Sequence, residues 1–560
     1  MKHLTFFLIT LFGTTLSALA QPVMVKDINA GSNGISFYIN KNYAVAGNTF
    51  YFEADDNING PELWKSNGTA AGTVLVRDIY PGLFQSGIRE IYVDFQGHLY
   101  FTGNDPTASG SGIELWRTVD GPEGAVLLSD ACPGDCSGSG LSTRKPMAVL
   151  QDKLYINYYS LAAGAELFES DGTESGTKLL KDINPGASDS RPGLLRAFKG
   201  KLYFVAQNDT YGRELWVSDG TEAGTQVLKD IYPGAAGSDD SYNQAIVAGA
   251  DVFYFWANDG VSGKELWKSD GTEVGTVMVK DINPGAGGGA PTYPFSQYLW
   301  FSDRLLFVAN DGVYGDELWI TDGTEAGTKL VRDIYPGSLP VEIVFYGVLK
   351  GKAIFRANDG TSGRELWITD GTEAGTTLLK DILPGSAGSL ELSQDAGVFQ
   401  NYLFFTANDG MDGRELWVSD GTAAGTVLHT SIRSGPLGSE PNGFSLIGNT
   451  MFFFAGTSSA GRELWKYDLT ALSTGTPEAL TASVFPTASA DGRFSVQTTD
   501  REENLRVEAY DLLGRLQAVR NLPQGEQALD LSALQPGAYV LRVAGADTGR
   551  AGTARVFVIR

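Results

Sequence analysis

GKAIFRANDGTSGRELWITDGTEAGTTLLKDILPG, residues Gly351 to Gly385, decides the fold. It holds three short apolar runs, AIFRA, ELWIT and TTLLKDI, separated by NDGTSG and DGTEAG. Such Asn, Asp and Gly clusters make tight turns, because glycine accepts positive φ and Asx side chains bond the backbone two residues on. Upstream, VEIVFYGVL (Val341 to Leu349) supplies a fourth apolar run. Runs of this length between turn signals read as antiparallel strands. Within ELWIT, alternation sets Glu365 and Trp367 on one face and Leu366 on the other. Apolar residues on both faces suit a sheet packed between two neighbours.

The unit recurs. The third residue of ELW or its variant falls at Trp64, Trp116, Phe168, Trp216, Trp267, Trp319, Trp367, Trp417 and Trp465, with gaps of 48 to 52 residues. Four short strands every 50 residues or so is the pattern of a propeller blade. The fold class is therefore all-β, a closed β-propeller of about nine four-stranded blades; two smaller rings are the alternative. The last unit ends at ELWKYD (Glu463 to Asp468) and lacks the GTxxGTxLxKDI strand. The N-terminal MVKDINAG, Met24 to Gly31, nearly repeats MVKDINPG at Met278 to Gly285 and stands without the rest of a unit. It is expected to supply the strand missing from the ninth blade, which would remove two exposed edges.

Residues 1–20 combine Lys2, the apolar run LTFFLITLFGTTL and a final ALA, the three parts of a secretory signal peptide. The apolar run is short for a membrane span, and no later segment is long and apolar enough for one. The domain reading is leader 1–20, propeller 21–468, linker 469–483 and a small C-terminal β-sandwich 484–560. From Val484 onward nine acidic residues balance nine arginines, so the net charge of −24 belongs to the repeats. That balance argues against nucleic acid and anionic membranes as partners. Cys132 and Cys136, in DACPGDCSGS, are expected to form a local disulfide in an exported chain.

The repeat region resembles the bacterial ELWxxDGT repeat family, carried here as ELWVSDGTEAGT (Glu214 to Thr225) and ELWITDGTEAGT (Glu317 to Thr328, Glu365 to Thr376). That resemblance implies an extracellular protein and brings no catalytic residues with it. The C-terminal stretch resembles the sorting domain of the type IX secretion system of Bacteroidota. The match lies in FPTASADGRFSV (Phe485 to Val496), VEAYDLLGRL (Val507 to Leu516), LDLSALQPGAYVLRV (Leu529 to Val543) and the terminal RVFVIR. Thr487 and Ala488 stand where the family carries Asn-Pro. The resemblance implies the type IX secretion machinery as partner. It also implies passage across the outer membrane to the extracellular space or the cell surface.

Two sets of acids are the candidate chemistry. Asp209, Asp259, Asp311, Asp359 and Asp409 each follow an Asn ahead of ELW, and each unit has a second turn acid: Asp219, Asp270, Asp322, Asp370 and Asp420. Clustered oxygen ligands with glycines suit calcium, the one cofactor the sequence suggests; the competing and favoured reading is turn formation. The ELW glutamates, Glu62, Glu114, Glu166, Glu214, Glu265, Glu317, Glu365, Glu415 and Glu463, would form either a ring of carboxylates for glycans or cations, or a set of structural ion pairs. The favoured ion-pair partners are the adjacent [KR]DI bases Lys229, Lys280, Arg332 and Lys380. Beyond the leader only His98 and His429 remain, and HExxH, GxSxG and GxxxxGK[ST] are missing. The functional expectation is a binding or adhesion module for glycans or other surface partners, with Tyr242, Tyr293 and Tyr298 as contact candidates. A ligand-free structural surface protein and a carbohydrate-active enzyme are the alternatives.

Overall fold

The computed structural model describes residues 21–470 apart from 32–33, 36–42, 83–85, 89–90, 105–112, 130–145, 239–244, 293–297, 338–339 and 392–395. Beyond them it describes 482–485, 488–489, 493–498, 505–511, 516–522, 528–545 and 551–558. Cys132, Cys136, Tyr242 and Tyr293 lie outside the described residues.

In the seventh blade the strands are Val344–Leu349, Lys352–Asn358, Arg364–Thr369 and Thr377–Lys380, paired antiparallel in chain order. The same four-stranded order recurs at residues 43–77, 91–129, 147–181, 193–229, 247–280, 298–332 and 396–430. The ninth sheet is assembled from two ends of the chain. Asn442–Ile447, Thr450–Thr457 and Gly461–Asp468 supply three strands, and the N-terminal Val23–Lys26 supplies the fourth. Met24 lies opposite Trp465 and Lys26 opposite Leu464. First strands of neighbouring blades approach one another, so they stand nearest the axis and the fourth strands lie at the rim.

Turn chemistry sets the hairpins. The first and second strands of the fourth blade meet at Lys199–Gly200, both at positive φ, the backbone that matches strand twist in a two-residue hairpin. Each fourth strand carries one extra residue opposite the ELW strand. Leu366 faces Lys380 and Trp367 faces Leu378, so Leu379 is the bulge.

Packing follows the alternation. Leu366 packs toward the eighth blade, with Leu403 and Phe405, while Trp367 packs toward the sixth, with Val331 and Ile334. Among the described residues nine apolar clusters fill nine joints. The last of these sets Phe50 and Phe52 of the first blade against Phe452 and Phe454 of the ninth, with the Phe50 and Phe452 rings stacked at 5.4 Å.

C-terminally, Ala482–Phe485, Arg493–Thr498 and Ala528–Asp530 form one sheet. Ala488–Ser489, Leu505–Asp511, Leu516–Leu522, Gly537–Gly545 and Ala551–Val558 form another. Phe494 and Leu529 from the first sheet share a buried cluster with Val507, Ala509 and Leu541 from the second.

Candidate functional site

The ELW glutamates are neither a channel ring nor ion-pair partners of the [KR]DI bases. Glu365 is fully buried and accepts hydrogen bonds from the backbone N–H of Ile382 (3.1 Å) and Leu383 (3.2 Å). The N–H and hydroxyl of Ser389 add two more, at 2.8 and 2.6 Å. Glu62, Glu265, Glu317 and Glu463 likewise accept from the two residues that follow the aspartate of the DI turn. The carboxylate thus replaces the sheet as acceptor where the fourth strand turns inward, satisfying N–H groups that would otherwise be buried unpaired. Burial pushes these acids up, Glu62 and Glu317 to about 8 and Glu365 to about 7, against the opposing pull of their donors. Glu114 accepts from the Tyr158 hydroxyl of the next blade at 2.9 Å.

The expected basic partners point elsewhere. Lys229 donates to the Thr276 carbonyl at 2.7 Å and sits 5.9 Å from the Trp267 ring, both in the next blade. Arg332 holds Thr376 and Trp367 in the same way, and Lys380 holds Thr426 and Trp417. N-terminal Lys26 does so to Thr73 and Trp64 of the first blade, so the orphan segment reproduces both the pairing and the latch of a regular fourth strand. A cation over an indole face combines quadrupole attraction with a charge-assisted bond to the carbonyl.

The turn acids serve turns. Asp259, Asp311, Asp359 and Asp409 each accept from the N–H groups two and three residues on. In the fourth blade Asn208 does this instead, and the Asp209 N–H donates to Asn184 of the preceding blade. Asp219, Asp270, Asp322, Asp370 and Asp420 each accept from the N–H and hydroxyl of the threonine two residues on. The threonine hydroxyl holds Asp219, Asp270, Asp322 and Asp370 below the usual carboxylate range. Among the described residues no three His, Cys, Asp or Glu side chains gather as metal ligands.

What the scaffold leaves unused lies at the loop tips. Connections between second and third strands, and between one blade and the next, emerge on one face, as the Asn258 N–H to Ser238 and Ser238 N–H to Arg213 bonds require. On that face Ile58, Leu161, Val261 and Val313 are 74, 61, 77 and 66 % exposed, with Tyr314 and Leu437 also in solvent. Ile58, Val261 and Val313 occupy one apex position, two residues after the turn aspartate; the seventh and eighth blades place Thr361 and Met411 there. The sequence signal was available, since the apex changes from unit to unit while its frame does not. Tyr298, by contrast, packs against the joint of the fifth and sixth blades.

No protein-family description matches the chain, and no curated protein does. Among solved structures, a puromycin hydrolase is similar at 14 % identity and a TM-score of 0.34, covering 65 % of this chain and 58 % of its own. Prolyl oligopeptidase B from Galerina marginata is similar at 12 % identity and 0.32, covering 71 % and 55 %. PorZ, described as a surface component of the type IX secretion system of Porphyromonas gingivalis, is similar at 13 % identity and 0.24, covering 92 % and 75 %. The chain thus spans under two thirds of the length of either of the first two proteins. At such scores the likenesses carry no functional argument, and the architecture rests on the sheets themselves.

Proposed function

We propose that the chain is a secreted or cell-surface propeller that binds glycans or other surface partners through its second-to-third-strand loop face. Its export through the type IX secretion system, directed by the C-terminal domain, is part of the same reading. One observation carries it: the ELW glutamates, the bases Lys26, Lys229, Lys280, Arg332 and Lys380 and the turn acids Asp259, Asp311, Asp359 and Asp409 are engaged in the scaffold, whereas the side chains of Ile58, Val261 and Val313 stand in water. Exposed apolar groups on a polar rim favour contact with a partner.

The test is retention of the full chain on a panel of immobilised polysaccharides, compared with a variant carrying Ile58→Ser, Val261→Ser and Val313→Ser. Selective retention that the variant loses, with an unchanged melting temperature, supports the reading. Retention equal in both variants places binding elsewhere. No retention on any surface leaves a structural role as the better account.

A further inference from the structure

The joint between the eighth and ninth blades breaks the repeat at three consecutive positions. In every other blade the bulged residue of the fourth strand is aliphatic: Val25, Val76, Leu128, Leu180, Leu228, Val279, Val331 or Leu379. In the eighth blade it is His429, followed by Thr430 in the latch position and Ser431 in the aspartate position. Across the joint, Tyr467 is 1 % exposed, where the other blades place a small hydroxyl residue such as Ser218 or Thr369. The His429 and Tyr467 rings meet edge-on at 4.8 Å, and Phe404 packs edge-on against both, at 6.0 and 5.9 Å.

Both His429 nitrogens, the Ser431 hydroxyl and the Tyr467 hydroxyl are shielded from solvent without a hydrogen-bond partner. Thr430 replaces the cation latch with a 3.0 Å bond to the Gln21 side chain, just ahead of the strand that completes the ninth sheet. That strand is also the one fourth strand of the nine that no hairpin joins to its third strand.

We propose that this joint is an acid-sensitive release point, at which protonation of His429 loosens the strand Val23–Lys26 and opens the ring. A neutral imidazole tolerates an apolar slot, but an imidazolium there lacks an acceptor and must draw in water or leave. Burial is the one cause acting on His429, and it pushes the pKa down to about 4 from an ordinary 6.5.

The charged and titratable groups on the elements around it are committed elsewhere. Arg414 pairs with Glu391, and Glu415 accepts from Ile432, Arg433 and Ser439. Arg462 pairs with Glu440, and Glu463 accepts from Ile28 and Asn29. Lys466 donates to Gly68, Asp468 accepts from Thr470, and Lys26 reaches Thr73. Burial raises the Tyr467 hydroxyl above its ordinary range, so it stays neutral in acid. Glu415 and Glu463 are raised by burial, so acid stabilises them and works against opening; His429 is the group with the required sign.

The experiment is backbone hydrogen exchange of the full chain at about pH 7.5 and about pH 5, wild type beside His429→Leu, which restores the residue type of the other blades. Between those conditions the opening equilibrium at Val23–Lys26 and Gly461–Asp468 is expected to rise about 30-fold in wild type relative to the variant, with strands of the fifth blade unaffected. An equal acid response in both proteins overturns the proposal. A magnetic-resonance titration of the wild-type histidines gives an independent check, and a folded His429 titrating near its ordinary value overturns it even if the variant fails to fold.

Discussion

Glu365 holds four donors in a place water does not reach, so its removal leaves all four unsatisfied. At about 1–3 kcal/mol for each orphaned group, softened by relaxation, Glu365→Ala is expected to destabilise the propeller by about 3–5 kcal/mol. Glu365→Gln keeps one acceptor oxygen and should cost less; denaturant midpoints of the two variants measure the difference. Charge adds a sign. The folded pKa of about 7 lies above the usual 4.5, so the folded state binds the extra proton. This group's contribution is complete below about pH 4.5 and is lost as pH rises through 7. Midpoints should therefore fall from about pH 5 to about pH 9, less steeply in Glu365→Gln; a rise over that range, or equal slopes, would show the acid ionised throughout. The turn acids act differently. Asp359 caps two N–H groups in an exposed turn, so Asp359→Ala should cost about 1 kcal/mol. That loss should be the same with calcium added or chelated, and a loss confined to the calcium-loaded protein would make Asp359 a ligand.

At the scale of the element, the N-terminal strand tests how far pattern reading reaches. Val25 is buried in the cluster joining the first and ninth blades, whereas Met24 is 37 % exposed at the rim. Val25→Asp should destabilise by at least about 3 kcal/mol and speed proteolysis near the ninth blade, while Met24→Asp should change stability by less than about 0.5 kcal/mol. Equal losses in both would mean that the strand is held by its backbone alone. The strand was legible because its sequence duplicates the fourth strand of the fifth blade, and the blades were legible because turn residues punctuate them at a fixed period. The role of the glutamate was not. Its partners are backbone N–H groups 17 to 24 residues on, and a backbone amide leaves no mark in the sequence. The [KR]DI bases misled for a related reason. They lie beside the ELW strand in their own blade, yet they bond 44 to 48 residues ahead, in the next. Charge complementarity between adjacent strands was a sound rule that a buried turn and a neighbouring indole outweighed.

Across the whole molecule, each blade shares a core with both neighbours, while the two C-terminal sheets share a core drawn from their own residues. Cooperativity follows shared burial, so the propeller and the C-terminal unit should unfold in two calorimetric transitions rather than one. Two truncations assign them. Trp367→Ala empties the joint of the sixth and seventh blades and should cost about 3–5 kcal/mol, lowering the propeller transition alone. Leu541→Ala, at a fully buried position in the C-terminal cluster, should cost about 2–5 kcal/mol. In a unit that small each kcal/mol is worth about 4–8 °C, so its transition should drop by at least about 8 °C. A single transition moved by both variants would mean that the two cores are coupled. In that case, removing the C-terminal unit would also weaken the ring. Two independent shifts would instead mean that the propeller keeps its fold without the C-terminal unit, as the proposed surface display requires.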